Sequence, residues 1–249
     1  MGRELSMPLR IGFDLDGTLA NFAAAFHDVE VRLFGTDAHT DAGQPEKERE
    51  EAPGESGDDG TDRRNGEDRR IKARQEFQEG RRRRDAIWKA IRATPDFWTQ
   101  LEPLDPNAIG RIHEIALRHK WEVFFITQRP YTDGDTVQRQ SQRWLVTQGF
   151  DLPSVLVIGG SRGAAAAALR LDYHVDDSPQ NCLDVLAESG AKPILIVASD
   201  EESSVQPARK LKIATALNID AALDILQHAT LARTNPSLLD RLATLVGWR

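Results

Sequence analysis

Short apolar segments alternate with longer amphipathic ones over most of the 249 residues, and this alternation constrains the fold more than any other feature of the chain. Each short segment is apolar almost throughout, as expected of strands that are covered on both faces. The strand candidates are residues 9–13, 122–126, 154–158, 173–175 and 194–197. The helix candidates are residues 107–119, 135–148, 164–169, 178–190, 218–226 and 237–248. The sequence therefore predicts an α/β fold built on a parallel sheet.

Residues 37–85 depart from this pattern because they hold 15 acidic and 12 basic residues among 49. Such a segment buries too little apolar surface to offset the entropy lost on ordering. We expect residues 37–68 to be disordered or a long charged loop, with a helix from residue 69 onward. The arginine runs could bind an anion or a nucleic acid, but interspersed acidic residues favour a solvated insertion whose partner is unknown.

Composition excludes several classes of protein. A net charge of -7 argues against a mainly electrostatic nucleic-acid binder. No apolar run approaches the length of a membrane span, and no secretory signal is recognised near the N-terminus. The single cysteine, Cys182, rules out a disulfide framework and a cysteine-based zinc site. We therefore expect a soluble, cytoplasmic protein with no membrane or nucleic-acid partner.

The first predicted strand ends in two carboxylates, Asp14 and Asp16, followed by Gly17. Their spacing places both on one side if the strand continues, at the edge where a parallel sheet meets its ligands. Close carboxylates repel each other, and a hard divalent cation relieves that repulsion. The alternative is a turn rich in Asp and Gly without a function.

Other predicted strands also end in polar groups. Thr127 follows the second strand, and the pair Asp176-Asp177 follows the fourth. Residues 159–163 follow the third strand, include Arg162, and lead into a helix whose amides could face an anion. Carboxylates, a hydroxyl and a cation at one edge are typical of Mg²⁺-assisted phosphoryl chemistry.

These motifs, DLDGT at 14–18, the strand ending in Thr127 and HVDDSPQN at 174–181, resemble the haloacid dehalogenase superfamily. The resemblance covers residues 8–19 and 100–200. It implies a Rossmann-like three-layer core of residues 1–19 and 100–249, with a small helical C1-type cap inserted at 20–99. Residues 94–104 and the DDSPQN segment are most similar to the 5′(3′)-deoxyribonucleotidase branch.

The resemblance also implies roles for single residues. Asp14 would be the nucleophile and Asp16 the general acid and then the base. Thr127 would bind a phosphoryl oxygen. Asp176 and Asp177 would hold Mg²⁺ together with Asp14 and the backbone carbonyl of Asp16.

The family's phosphate-binding lysine has no counterpart, because no lysine lies between Lys120 and Lys192. Arg162 stands in its expected place, and Arg129 is the second candidate for binding the phosphate. Arginine binds phosphate well but is longer and more rigid than lysine.

Three aromatic residues, Phe22, Phe97 and Trp98, lie near the two ends of the insertion at 20–99. The nucleotidase resemblance implies that they stack on a base, whereas packing between cap and core is the plainer interpretation. His174 is interpreted as a core histidine rather than a ligand.

The expected function is Mg²⁺-dependent hydrolysis of a small phosphomonoester, with a (deoxy)nucleotide as one candidate substrate, through an aspartyl-phosphate. The alternative is a binding or regulatory protein that keeps this fold with weak or no phosphatase activity. The substituted lysine and the charged insertion motivate that alternative.

Overall fold

The computed structural model describes residues 8–36, 63–197 and 202–234. The chain divides into two compact units, Met1–Phe22 with Pro95–Arg249, and Ala23–Thr94. The predicted helix at 237–248 and residues 37–62 lie outside the described residues. That the second unit serves as a cap stays a prediction.

A six-stranded parallel sheet forms the centre of the first unit. Its strands are β1 Arg10–Asp14, β2 Glu122–Thr127, β3 Ser154–Val157, β4 Tyr173–Asp176, β5 Lys192–Ile196 and β6 Ala214–Ala216. They follow the order β3-β2-β1-β4-β5-β6, and every neighbouring pair is parallel. The predicted parallel α/β fold is confirmed. The sixth strand was not predicted, because three residues of the sequence Ala-Thr-Ala make no apolar run.

Helices connect the strands. In chain order they are α1 Phe22–Phe34, α2 Arg63–Arg92, α3 Ala108–His119, α4 Val137–Thr147, α5 Arg162–Leu169, α6 Pro179–Glu188, α7 Glu202–Lys210 and α8 Ile219–Thr234. A single 3₁₀ turn spans Phe97–Thr99. The middle strands are buried on both faces, as a Rossmann-like layered arrangement requires. None of the helices in the described ranges is long and apolar enough to cross a membrane.

Helix ends agree with the sequence signals where side chains cap them. Ser178 is the N-cap of α6, accepts a hydrogen bond from the amide of Asn181, and is followed by Pro179. Gly149 follows α4 with a φ of 97°, a conformation that glycine adopts readily beyond the C-terminus of a helix. Two ends differ from the prediction: α6 stops at Glu188, before Gly190, and α8 continues to Thr234 instead of ending at 226.

The second unit contains most of α1 and all of α2. Phe26 and Trp88 pack with ring centroids 5.8 Å apart, and the guanidinium of Arg83 lies 4.8 Å from the ring centre of Phe34. The prediction of a loop over 37–68 is wrong for residues 63–68, which begin α2. Arginine and glutamate favour helix in spite of their charge, so high charge there excludes a core but not a helix.

Candidate active site

Three adjacent strands bring their polar ends to one edge of the sheet. Because β1 lies between β2 and β4, the ends of these strands are direct neighbours. Asp14 pairs in register with Ile126, one residue before Thr127, and β4 ends at Asp176. The structure therefore places these three predicted residues side by side.

Three carboxylates form a cluster at this edge. Asp14, Asp176 and Asp177 each contribute an oxygen, and these oxygens all lie within 4.8 Å of one another. Burial, and then the charge of Asp176, raise the pKa of Asp14 well above its usual value and that of Asp177 to about 6. Oxygen ligands that repel one another fit Mg²⁺, which would neutralise them. The side chain of Asp16 is not in this cluster.

Arg162 contacts the cluster from the first turn of α5. Its Nη2 donates to Oδ1 of Asp14, and its Nε lies 3.6 Å from Oδ2 of Asp176. The side chain is 4% exposed, and its Nε and Nη1 have no hydrogen-bond partner among the described residues. A buried donor without an acceptor costs free energy, so these two groups can bind an anion oxygen.

Arg129, the second candidate, lies elsewhere and contacts Asp16. Its Nε is 2.9 Å from Oδ2 and its Nη2 is 2.7 Å from Oδ1 of that carboxylate. Its Nη1 donates to Oγ of Ser141 at 2.9 Å. Arg162, not Arg129, therefore accompanies the acidic cluster.

Thr127 is buried, and its hydroxyl makes only long hydrogen bonds to the residues that the structure describes. Its Oγ1 lies 3.5 Å from Oδ2 of Asp16 and 3.4 Å from the amide nitrogen of Arg129. Both distances are near the limit for a hydrogen bond, so the hydroxyl can bind a closer partner at little cost.

Several neighbours hold Asp176 in place. His174 Nε2 lies 3.0 Å from Oδ2, and Asn181 Nδ2 lies 3.1 Å from both carboxylate oxygens. The amide of Ser178 donates to Oδ1 at 2.8 Å. His174 is buried as predicted, but it also contacts a candidate ligand. The role of Asn181 was missed, although its place in the first turn of a helix after an acidic pair is a usable signal.

The turn after β1 brings its own residues to Asp177. Thr18 Oγ1 donates to Oδ1 of Asp177 at 2.9 Å. Gly17 has a φ of 88°, and a Cβ there would lie 2.2 Å from Oδ2 of Asp177. Glycine is required here by both conformation and space.

The predicted aromatic residues pack in the first unit. Phe97 and Trp98 are buried, with ring centroids 5.1 Å apart, and the Trp98 indole donates to the carbonyl of Pro130 at 2.9 Å. The ring of Phe22 lies 5.7 Å from that of Trp98. Because these contacts lie within the first unit, packing between cap and core stays a prediction, and so does stacking on a base.

Comparison with solved structures identifies the architecture. A haloacid dehalogenase-like hydrolase from Streptococcus pneumoniae matches with a TM-score of 0.51 and 13% identity, over 88% of this chain and 98% of that one. A HAD family hydrolase from Deinococcus radiodurans R1, solved with bound phosphate and sodium, matches with a TM-score of 0.51 and 16% identity, over 90% and 96%. The chain has the haloacid dehalogenase fold. No protein-family model and no curated protein matches the sequence.

The haloacid dehalogenase fold confirms the resemblance at the level of architecture. At these identities the likeness carries no information on substrate, so the nucleotidase branch stays a prediction.

Proposed function

We propose that this chain is a Mg²⁺-dependent phosphomonoester hydrolase that forms an aspartyl-phosphate on Asp14. One observation carries the proposal. Oxygens of three carboxylates lie within 4.8 Å of one another, and a buried arginine donates to Asp14 while two of its nitrogens lack a hydrogen-bond partner among the described residues. This arrangement combines a metal site with an anion site around a single potential nucleophile.

Asp14, Asp176 and Asp177 would hold the Mg²⁺, with the backbone carbonyl of Asp16 as a further ligand. The bound ion would supply positive charge that offsets the repulsion among these carboxylates and between them and a phosphate. This requirement agrees with the raised pKa values of Asp14 and Asp177, because both carboxyl groups are costly to ionise without a cation.

Catalysis then proceeds in two displacements. An oxygen of Asp14 attacks phosphorus, the ester P–O bond breaks, and Asp16 gives a proton to the leaving oxygen. Asp16 next takes a proton from water, whose oxygen attacks phosphorus and releases Asp14 and inorganic phosphate. Arg162 and Thr127 bind the phosphoryl oxygens during both displacements.

The proposed substrate is a small phosphorylated metabolite in the cytoplasm, and the resemblance of residues 94–104 to deoxyribonucleotidases supports a deoxynucleotide. The alternative, a binding or regulatory protein, draws its support from Arg162, which stands where the family has a lysine.

A substrate panel tests the proposal. The purified protein is assayed with Mg²⁺ against nucleotides, sugar phosphates and p-nitrophenyl phosphate. Asp14→Asn should lower turnover by at least ~10³, since it removes the nucleophile. The matched control is Asp151→Asn, an exposed aspartate in the loop before β3, which should retain full turnover.

Equal turnover by wild type and Asp14→Asn would overturn the proposal. Thermal stabilisation by Mg²⁺ with a phosphate transition-state mimic, without turnover of any ester, would favour the binding protein instead.

A further inference from the structure

Arg129 forms a bidentate ion pair with the carboxylate of Asp16. Its Nε lies 3.1 Å from Oδ1 and 2.9 Å from Oδ2, and its Nη2 lies 2.7 Å from Oδ1. A planar guanidinium that meets a carboxylate in this way fixes both its position and its rotation. Asp16 therefore has one defined orientation in this structure.

The arginine itself is rigidly held. Its side chain is fully buried, its Nη1 donates to Ser141, and its guanidinium carbon lies 4.9 Å from the ring centre of Trp98 and 5.7 Å from that of Trp144. Both indoles are fixed by hydrogen bonds to the backbone. Trp98 donates its N–H to the carbonyl of Pro130, and Trp144 donates its N–H to the carbonyl of Leu101. Cation–π contacts and hydrogen bonds thus support the guanidinium from several sides.

Asp16 has little other support. Its side chain is 23% exposed, and its other side-chain hydrogen bond among the described residues is the 3.5 Å bond from Thr127. Without Arg129, no short hydrogen bond from these residues would fix the rotation of the carboxylate.

We propose that Arg129 is a positioning residue that aims Asp16, and not a phosphate ligand. The inference rests on the proposed function, in which Asp16 takes up a proton on the lone pair of Oδ2 that Arg129 leaves open and gives that proton to the leaving oxygen. Protonation matters greatly for a strongly basic alkoxide and little for p-nitrophenolate, which departs as an anion. Loss of Arg129 should therefore slow the hydrolysis of alkyl phosphate esters more than that of aryl phosphate esters.

The experiment compares kcat and KM for β-glycerophosphate and p-nitrophenyl phosphate with Mg²⁺. Asp16→Asn should lower kcat by ~10²–10⁴ on the alkyl ester and far less on the aryl ester. Arg129→Met, which keeps an unbranched side chain between the indoles, should show the same asymmetry with at least about a tenfold loss and an unchanged KM. The double variant should be no slower than Asp16→Asn alone.

Arg129→Lys is a second variant in case Arg129→Met does not fold, because it keeps the buried positive charge and loses only the bidentate geometry. Its kcat on the alkyl ester should lie between those of wild type and Arg129→Met.

The matched control is Arg10→Met. Arg10 also pairs with a carboxylate, Glu122 at 3.1 Å, and lies 5.3 Å from the ring centre of Phe124, but at the opposite end of β1. Its loss should leave the ratio of the two kcat values unchanged.

Equal losses on both esters in the Arg129 variants would overturn the positioning role. A raised KM with unchanged kcat would instead make Arg129 a phosphate ligand and would also overturn it. If wild type hydrolyses both esters, the proposed function stands even when the positioning role fails. If wild type hydrolyses neither ester, the proposed function fails and this inference fails with it.

Discussion

Arg162 donates to Asp14 through Nη2, and its Nε lies 3.6 Å from Oδ2 of Asp176. Its buried Nε and Nη1 make no hydrogen bond to the described residues. A guanidinium can therefore hold Asp14 and an anion oxygen together, in a fixed plane. A lysine would offer a single nitrogen for both partners. An arginine at this position is thus compatible with a phosphate site of more restricted geometry.

Arg162→Ala should weaken binding of inorganic phosphate in the presence of Mg²⁺ by at least about tenfold, because a hydrogen bond to a charged group contributes ~1.5–3 kcal/mol. Arg129→Ala should weaken it much less, since the donors of Arg129 already bind Asp16 and Ser141. Isothermal titration calorimetry with phosphate measures both. The reverse ranking would show that Arg129 faces the anion.

Residues at the ends of strands could be placed from the sequence, and residues that depend on a loop or a rotamer could not. Asp14, Asp176 and Thr127 end apolar runs, so a parallel sheet alone brings them to one edge. The bond from Asn181 to Asp176 and the ion pair from Arg129 to Asp16 depend on how side chains turn after the backbone has left the strand. No periodicity in the sequence carries that information.

At the level of elements, α5 packs unusually close to α6. The sequence of α5, RGAAAAAL, is almost free of bulky side chains. A Cβ on Gly163 would lie 2.1 Å from the carbonyl oxygen of Asp184 in α6. Because Arg162 precedes Gly163, the approach of the two helices also sets the position of the guanidinium.

Gly163→Ala should lower the free energy of unfolding by about 1–3 kcal/mol or more, because backbone must move to admit the methyl group. Denaturant unfolding measures the change. Gly160→Ala is the matched control, since a Cβ there meets nothing within 4 Å, and it should change stability by less than about 0.5 kcal/mol. Equal stability of the two variants would contradict the close packing.

Long apolar or amphipathic elements were predictable, and short or highly charged ones were not. The central strands, α3 and α4 were recognised within a few residues, because many apolar contacts enforce their periodicity. The strand β6 was not predicted because it is only three residues long, and the helix α7 was not predicted because it contains Pro207. The first residues of α2 were assigned to a loop because their charge obscured their helix propensity.

At the level of the whole molecule, the buried carboxylates lower stability when no cation neutralises them. Asp177 has a pKa raised to about 6, mainly by burial, whereas an unfolded aspartate titrates near ~3.9. The folded state therefore prefers the protonated form. The resulting stabilisation is complete below about pH 4 and is lost as the pH rises through about 6.

Metal-free protein should consequently lose stability, on the order of 3 kcal/mol, from this group between about pH 4 and pH 6, and Mg²⁺ should restore stability above pH 6. Thermal melts from pH 4 to pH 8, with EDTA or with Mg²⁺, measure both effects. Asp177→Asn should flatten this part of the pH profile and reduce the response to Mg²⁺. If Mg²⁺ does not change the melting temperature of wild type at pH 8, that result would argue against the metal site.

The central place of β1 also has a consequence for biosynthesis. This strand is synthesised before its partners β2 and β4, which are encoded more than 100 residues downstream. Until β4 emerges, Asp14 has neither Asp176 nor Asp177 beside it. A polypeptide that stops before β4 therefore lacks the acidic cluster, and the edge of β1 that pairs with β4 stays unpaired until that strand has been made.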